Sequence, residues 1–492
     1  MPDRRLAPAN PAPAVADIGG LRWLWPGLVL GAALRLLAAL VSAPTPGDDV
    51  TRLVEACVWS GHPRWLGLFG VWPPLPTYLL GSLMRIGGDP HVWAGVLGWL
   101  TTTAALPLFF LGVRDLYGDA RRAGLATLLL ALYYVHIWMA GTAYSEAPYT
   151  CVLFAGLLCV IRAVRGPGAA RTGLLLAGGL GLALAMLFRH EARLVGLVVL
   201  VWIAREVGLG AALRYAIPSL VLLAWDLVAP FRPGAGFAED ARVVAGLKLA
   251  EVALHGSRWE ALRRWLIMPA GSPSAIVMLL GLAGLWMSRR AWRRDLWAWL
   301  FAVQTAVFLA LTVYPGWQPY LRYLFLYLVC LLPHAAVALG AVARRSRWAA
   351  VALVLAAIGI QAIAWSRGRN EDRPLGWLPV YRAAPQQAVL DRWVGQHAGE
   401  DRVLALEGYP QAWDVYASVV RIGRCDLLSR FRSVPYDERL RLARGGRLEL
   451  AGFDVVLLNP SSDQFRAAWE SLPPGRRVEY RDERLLIVRL AP

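Results

Sequence analysis

Apolar stretches close to the roughly 20 residues needed to cross a bilayer recur along this chain from residue 21 to residue 366, and then stop. Inside hydrocarbon, every backbone N–H and C=O must find its partner within the protein, so runs of this length imply helices. A composition of 57% hydrophobic and 17% charged residues agrees, and it excludes an ordinary soluble enzyme. The candidate spans are 22–43, 92–112, 122–140, 147–164, 172–188, 194–208, 212–230, 273–289, 295–314, 321–342 and 348–365, about eleven at the usual span length. Residues 368–492 return to a soluble pattern with charges throughout, and they are numerous enough for a core of their own. The expected class is therefore mainly α: a polytopic helical membrane domain at 21–367, preceded by a disordered cytoplasmic stretch at 1–20. A small α/β domain at 368–492 follows. In that last part Arg402–Leu406 and Phe453–Leu458 read as buried strands, and Gln387–His397 and Gln464–Ser471 as helices. Val478–Tyr480 and Leu485–Leu490 read as a closing hairpin.

One segment, Trp72–Ile86 (WPPLPTYLLGSLMRI), is short and opens on prolines. It is either a span or a helix lying at the membrane surface, and the arginines decide between the two. If it does not span, the loops carrying Arg114/Arg121/Arg122, Arg162/Arg165/Arg171, Arg205/Arg214, Arg289/Arg290/Arg293/Arg294 and Arg344/Arg345/Arg347 all share the side of Arg4 and Arg5. If it spans, all of them change side. Short basic loops belong in the cytoplasm, so the segment is interfacial, the N-terminus is cytoplasmic and the C-terminal domain is extracytoplasmic. The expected location is the cell (inner) membrane, crossed many times, with Leu21 onward read as an uncleaved anchor. The first outer loop, 44–91, then holds a short helix at Asp49–Ser60 and the surface helix. Arg258–Met268 in a later outer loop is amphipathic and should lie along the surface.

A net charge of +17 would suggest nucleic acid in a soluble protein, but here the topology explains it, and no nucleic-acid partner is expected. Lys248 is the sole lysine, so the excess is arginine. The five cysteines, Cys57, Cys151, Cys159, Cys330 and Cys425, show neither a CxxC pair nor regular spacing, and indicate neither a disulfide framework nor a metal knuckle. No Walker A, HExxH or Gly-x-Ser-x-Gly motif is present.

Polar residues concentrate at the outer ends of the spans: Asp48-Asp49 after the first, Ser145-Glu146 opening the fourth, Arg189-His190-Glu191 ending the fifth, and Arg322-Tyr323 opening the tenth. Plain explanations compete with function. Asp48 and Asp49 sit where a helix starts and serve equally well as caps. For Ser145 capping is the better reading, and an arginine such as Arg322 at a span end usually snorkels to headgroups. Arg189 and Glu191, wedged between two spans, are harder to explain away, because charges there are costly unless paired or functional. Arg35, inside the first span, raises the same question.

In this order the clusters resemble the GT-C superfamily of integral membrane glycosyltransferases. The closest likeness is the bacterial branch related to protein O-mannosyltransferases and the lipid A aminoarabinose transferase. The resemblance rests on Asp48-Asp49, Trp72-Pro73-Pro74-Leu75, Leu116-Tyr117-Gly118-Asp119-Ala120-Arg121-Arg122, Ser145-Glu146, Arg189-His190-Glu191 and Arg322-Tyr323, where some members have tyrosine in place of His190. It covers residues 21–342, and the tail in architecture only. It implies a polyprenyl-phosphate sugar donor, a lipid, glycan or protein acceptor outside the cytoplasm, and single displacement with inversion. Asp48 or Asp49 would be the base, with the resemblance pointing to Asp48. Arg322, Arg189 and His190 would hold the donor phosphate, and Glu146, Ser145, Glu191 and Tyr323 would position substrate. The phosphate leaving group needs a cation rather than a proton, whereas the acceptor must give a proton to a carboxylate. One base without a general acid is the reason for inversion, unlike a two-carboxylate glycosidase. No cofactor is expected. A divalent cation is not indicated, although Asp48, Asp49 and Glu146 carry oxygens of the kind such an ion takes.

Three other readings stand beside this one. A lipid-linked sugar transporter or flippase places ionisable groups near the bilayer midplane and shows inverted repeats, neither of which is seen here. An oligosaccharyl ligase of the same architecture differs only in donor size. A scaffold protein would carry the same site in degenerate form.

Overall fold

The computed structural model describes residues 18–42, 48–63, 73–166, 170–228, 274–313, 325–366, 385–397, 401–405, 411–433, 446–460, 465–483 and 485–490, with isolated positions at 259, 262, 263 and 442. Of the stretch 1–20, residues 18–20 are described, and they belong to a helical turn, Ile18–Leu21. Apart from residues 259, 262 and 263, which are helical, Arg258–Met268 lies outside the described residues.

The apolar stretches are helical throughout: α1 (Trp25–Val41), α2 (Asp48–Gly61), α3 (Leu75–Met84), α4 (Pro90–Tyr117), α5 (Ala120–Ala131), α6 (Tyr134–Trp138), α7 (Glu146–Arg165), α8 (Arg171–Phe188), α9 (Ala192–Glu206) and α10 (Leu209–Val228), then α11 (Ala275–Met287), α12 (Leu296–Val313), α13 (Phe325–Val329), α14 (Leu332–Arg345) and α15 (Arg347–Ser366). Among the described residues five helical segments are long and apolar enough to cross a membrane by themselves, or six if the pair Ala120–Ala131 and Tyr134–Gly141, bent by 61°, forms one span. Shorter apolar helices, α1 and α11 among them, accompany these. The 10 residues of α3 reach only about 15 Å, half the hydrocarbon thickness.

Arg35 of α1 lies against the bend after α5 and binds backbone carbonyls of both helices. Its guanidinium donates to Leu130 O (3.1 Å), Ala131 O (3.0 Å) and Gly31 O (3.0 Å). It also donates to His136 Nδ1 at 2.6 Å, which makes that nitrogen the acceptor. Arg35 is wholly buried, so the charge that sequence left in question inside a span is spent on the backbone of a broken helix.

The C-terminal part is a five-stranded sheet, β1 (Val403–Ala405), β2 (Phe431–Ser433), β3 (Val455–Leu458), β4 (Arg477–Arg481) and β5 (Leu486–Arg489), in the order β2-β1-β3-β5-β4. β1 is parallel to both neighbours, and β5 pairs antiparallel with β3 and β4. Helices α16 (Pro385–His397), α17 (Gln411–Arg421) and α18 (Phe465–Glu470) accompany it. Strand alternation divides its side chains. Leu404, Val456, Leu458, Leu486 and Val488 face a core with Leu442, Leu448 and Ala468. Val403, Ala405, Val455, Leu457 and Ile487 face the other way, into a core with Leu390, Trp393, Val419 and Val420. That second core does not end at the sheet. It continues into Leu53, Ala56 and Cys57 of α2, Leu80 of α3 and Ala94 of α4, so the tail is packed onto α2 and α3 of the segment after α1.

At that junction Cys57 and Cys425 form a disulfide across a sequence separation of 368 residues. This corrects the expectation of no disulfide. Spacing rules detect local frameworks, and a bridge between two segments this far apart leaves no spacing to read.

Candidate active site

α2 starts at Asp48, of whose side chain nothing is described. Asp49, in its first turn, is fully buried. Its Oδ1 accepts a hydrogen bond from the backbone N of Ala143, 94 residues away. That contact joins α2 to the turn that enters α7. Ser145 precedes α7 in helical conformation and makes no side-chain cap, which decides against capping. Its hydroxyl instead donates to Glu146 Oε2 at 3.4 Å and accepts from Arg189 Nη1 at 3.4 Å.

Glu146 opens α7, where the unpaired N–H groups of a helix start favour a carboxylate. It is 2% exposed and forms an ion pair with Arg189, itself 7% exposed. Arg189, in extended backbone just past α8, also donates from Nε to Glu191 Oε2 at 3.1 Å and from Nη2 to Glu191 Oε1. One guanidinium thus pairs with two carboxylates, bonding Glu191 in a bidentate fashion and meeting Glu146 as an ion pair. Its charge is balanced by these two carboxylates. His190 points outward and is exposed. Arg322 and Tyr323 lie outside the described residues.

The structure also buries a charged residue that sequence reading passed over: Arg52, one turn after Asp49 on α2 and 3% exposed. In sequence it shares an amphipathic helix with Glu55 and reads as a solvated face. It is buried because of how the outer loop packs, for which no local signal exists. Beside these groups lies a narrow apolar crevice, partly open to solvent, lined by Pro76, Leu80, Ala94, Gly98, Tyr144 and Ser145 among others. It brings the α3–α4 surface within reach of the Ser145-Glu146 turn. Among the described residues no group of three or more His, Cys, Asp or Glu side chains is placed to hold a metal ion.

No family model and no curated relative matches the sequence. Solved structures do match. A crystal structure of ArnT from Cupriavidus metallidurans in the apo state aligns over 96% of this chain and 100% of its own, with a TM-score of 0.62 at 17% identity. The same protein bound to undecaprenyl phosphate aligns over 97% and 100%, with a TM-score of 0.59 at 16% identity. The apo oligosaccharyltransferase of Archaeoglobus fulgidus aligns over 90% of this chain and 70% of its own, with a TM-score of 0.54 at 12% identity. The chain has the GT-C fold. Within the GT-C fold, Asp49, Ser145, Glu146, Arg189 and Glu191 stand at one end of the helical bundle. Tyr117, the last residue of α4, lies toward the other end: its neighbour Asp115 pairs with Arg162, 16 residues along α7 from Glu146, about 24 Å at 1.5 Å per residue.

Proposed function

We propose that this chain moves a sugar from a polyprenyl-phosphate donor to an acceptor outside the cytoplasm, by single displacement with inversion. The observation that carries the reading is the contact of Asp49 with the Ala143–Glu146 turn, which unites a buried acid with the Glu146–Arg189–Glu191 group. In support, one structure of the same fold is described as bound to undecaprenyl phosphate.

Asp49 is the base in this proposal. Its Oδ1 takes the Ala143 amide, and the carboxylate receives the acceptor proton as the acceptor attacks the anomeric carbon. Asp48, the residue to which the resemblance points, is its alternate at the same helix start. Arg52 and Arg322 are the cations for the leaving phosphate, because Arg189 is already committed to two carboxylates. Glu146 and Glu191, held in place by Arg189, orient sugar hydroxyls. The test is incubation of purified protein with polyprenyl-phosphate sugars and cell-envelope extract. Transfer from at least one donor, lost in Asp49→Asn, is the expected result. Failure with every donor, together with measurable translocation of lipid or solute, overturns the reading in favour of a transporter.

A further inference from the structure

The helix that bears Asp49 and Arg52 has 14 residues, too few to be stable in water unaided, so its position depends on what grips it. Cys57 lies eight residues beyond Asp49 on that helix, about 12 Å along its axis. It is bonded to Cys425, the first residue of a 3₁₀ turn, Cys425–Arg430, that follows α17. Around the bridge, Leu53 and Ala56 share one core with Val419, Val420, Leu427 and Leu428. The remaining cysteines, Cys151, Cys159 and Cys330, are free thiols. The covalent link therefore joins the helix carrying the acid to the sheet-bearing tail.

We propose that Cys57 and Cys425 are positioning residues: their disulfide pins α2, and with it Asp49 and Arg52, in the geometry that transfer needs, which makes full activity conditional on thiol oxidation. This rests on the function proposed above. Forming the bridge takes a disulfide donor of the extracytoplasmic protein dithiol–disulfide class. One thiolate attacks the donor disulfide to give a mixed disulfide, and the second displaces the donor as a dithiol. The donor leaves with two electrons and two protons. Disulfides of this kind persist outside the reducing cytoplasm, which matches the side assigned to the tail.

The test uses the full chain in lipid nanodiscs. Denatured protein labelled with a polyethylene-glycol maleimide should take up three labels before reduction and five after, for the five cysteines of the chain. Mild reduction should speed hydrogen exchange in peptides covering 48–61 while the spans and the 403–489 sheet stay protected. It should lower kcat by roughly tenfold or more, the scale of a small misplacement of reacting groups, and reoxidation with oxidised glutathione should restore it. The double variant Cys57→Ser/Cys425→Ser should show the low rate and no response to reductant. Five labels before reduction overturn the proposal, as do unchanged exchange at 48–61 with an unchanged rate, or protection lost across the whole molecule. If no donor supports transfer at all, the function above fails, and labelling with exchange still decides the tether.

Discussion

At the scale of single residues, Asp49 and Arg189 carry different loads. Asp49→Asn keeps an oxygen that accepts from Ala143 N but removes the base. Transfer should fall by about 10²–10⁴-fold with the thermal midpoint nearly unchanged, as measured by rate assay and by scanning unfolding in detergent. Arg189 is bound to two carboxylates, so its removal strands a buried Glu146. Arg189→Met should cost about 3–5 kcal/mol, the scale of breaking a buried pair. Glu146→Gln should cost less, since Glu191 still neutralises the guanidinium, and the order of the two unfolding midpoints checks it. The Arg189 and Glu191 charges stood out in the sequence because charges set between apolar runs demand a reason. Arg52 did not. Nothing local separates a buried arginine from a solvated one in an amphipathic helix, and the packing that buries Arg52 is a tertiary event.

At the scale of elements, the Leu116-Tyr117-Gly118-Asp119-Ala120-Arg121-Arg122 stretch acts as a joint. Gly118 takes a left-handed conformation at φ 68° to end α4, and Asp119 caps α5 through Arg122 N at 2.9 Å. Arg122 lies over the Tyr117 ring and donates to Pro333 O at 3.0 Å, tying α14 to the joint. Tyr117 donates to Asp295 Oδ1 at 2.6 Å, and that oxygen also caps α12 through Ala298 N at 3.2 Å. Tyr117→Phe leaves the buried Asp295 short of a donor and should cost about 1–3 kcal/mol. With Arg162, which pairs with Asp115 in the joint, 16 residues along α7 from Glu146, about 24 Å, kcat measured below the unfolding range should hold. Helix packing sets a second limit at Gly284, where an added Cβ would collide with His334 O. The segments at 403–405, 455–458 and 486–489 were legible as strands from their apolar runs. β2 and α17 were not anticipated: Phe431–Ser433 is three residues with a charged centre, and only the register to β1 identifies it.

At the scale of the whole molecule, sidedness is what links sequence to function. An odd number of spans sends the tail to the side opposite Arg4 and Arg5, and an even number returns it to the cytoplasm. Two arguments bear on the odd count that the proposed function assumes. The 10-residue α3 is too short to be a span, and treating it as one would move every strongly basic loop outside. The Cys57–Cys425 bridge joins the first outer loop to the tail, so both must lie on one side, and a disulfide belongs on the oxidising side. A reporter pair settles it. Alkaline phosphatase, which folds only where its disulfides form, should be active when fused after Pro492 and inactive when inserted between Arg290 and Ala291, while a cytoplasm-only fluorescent reporter should give the reverse pattern. Phosphatase activity at Arg290 with none at Pro492 would place the tail and Asp49 in the reducing compartment. There the bridge would lack an oxidant and the acid would face nucleotide-sugar donors, so the proposed lipid-linked donor would lose its rationale along with the topology.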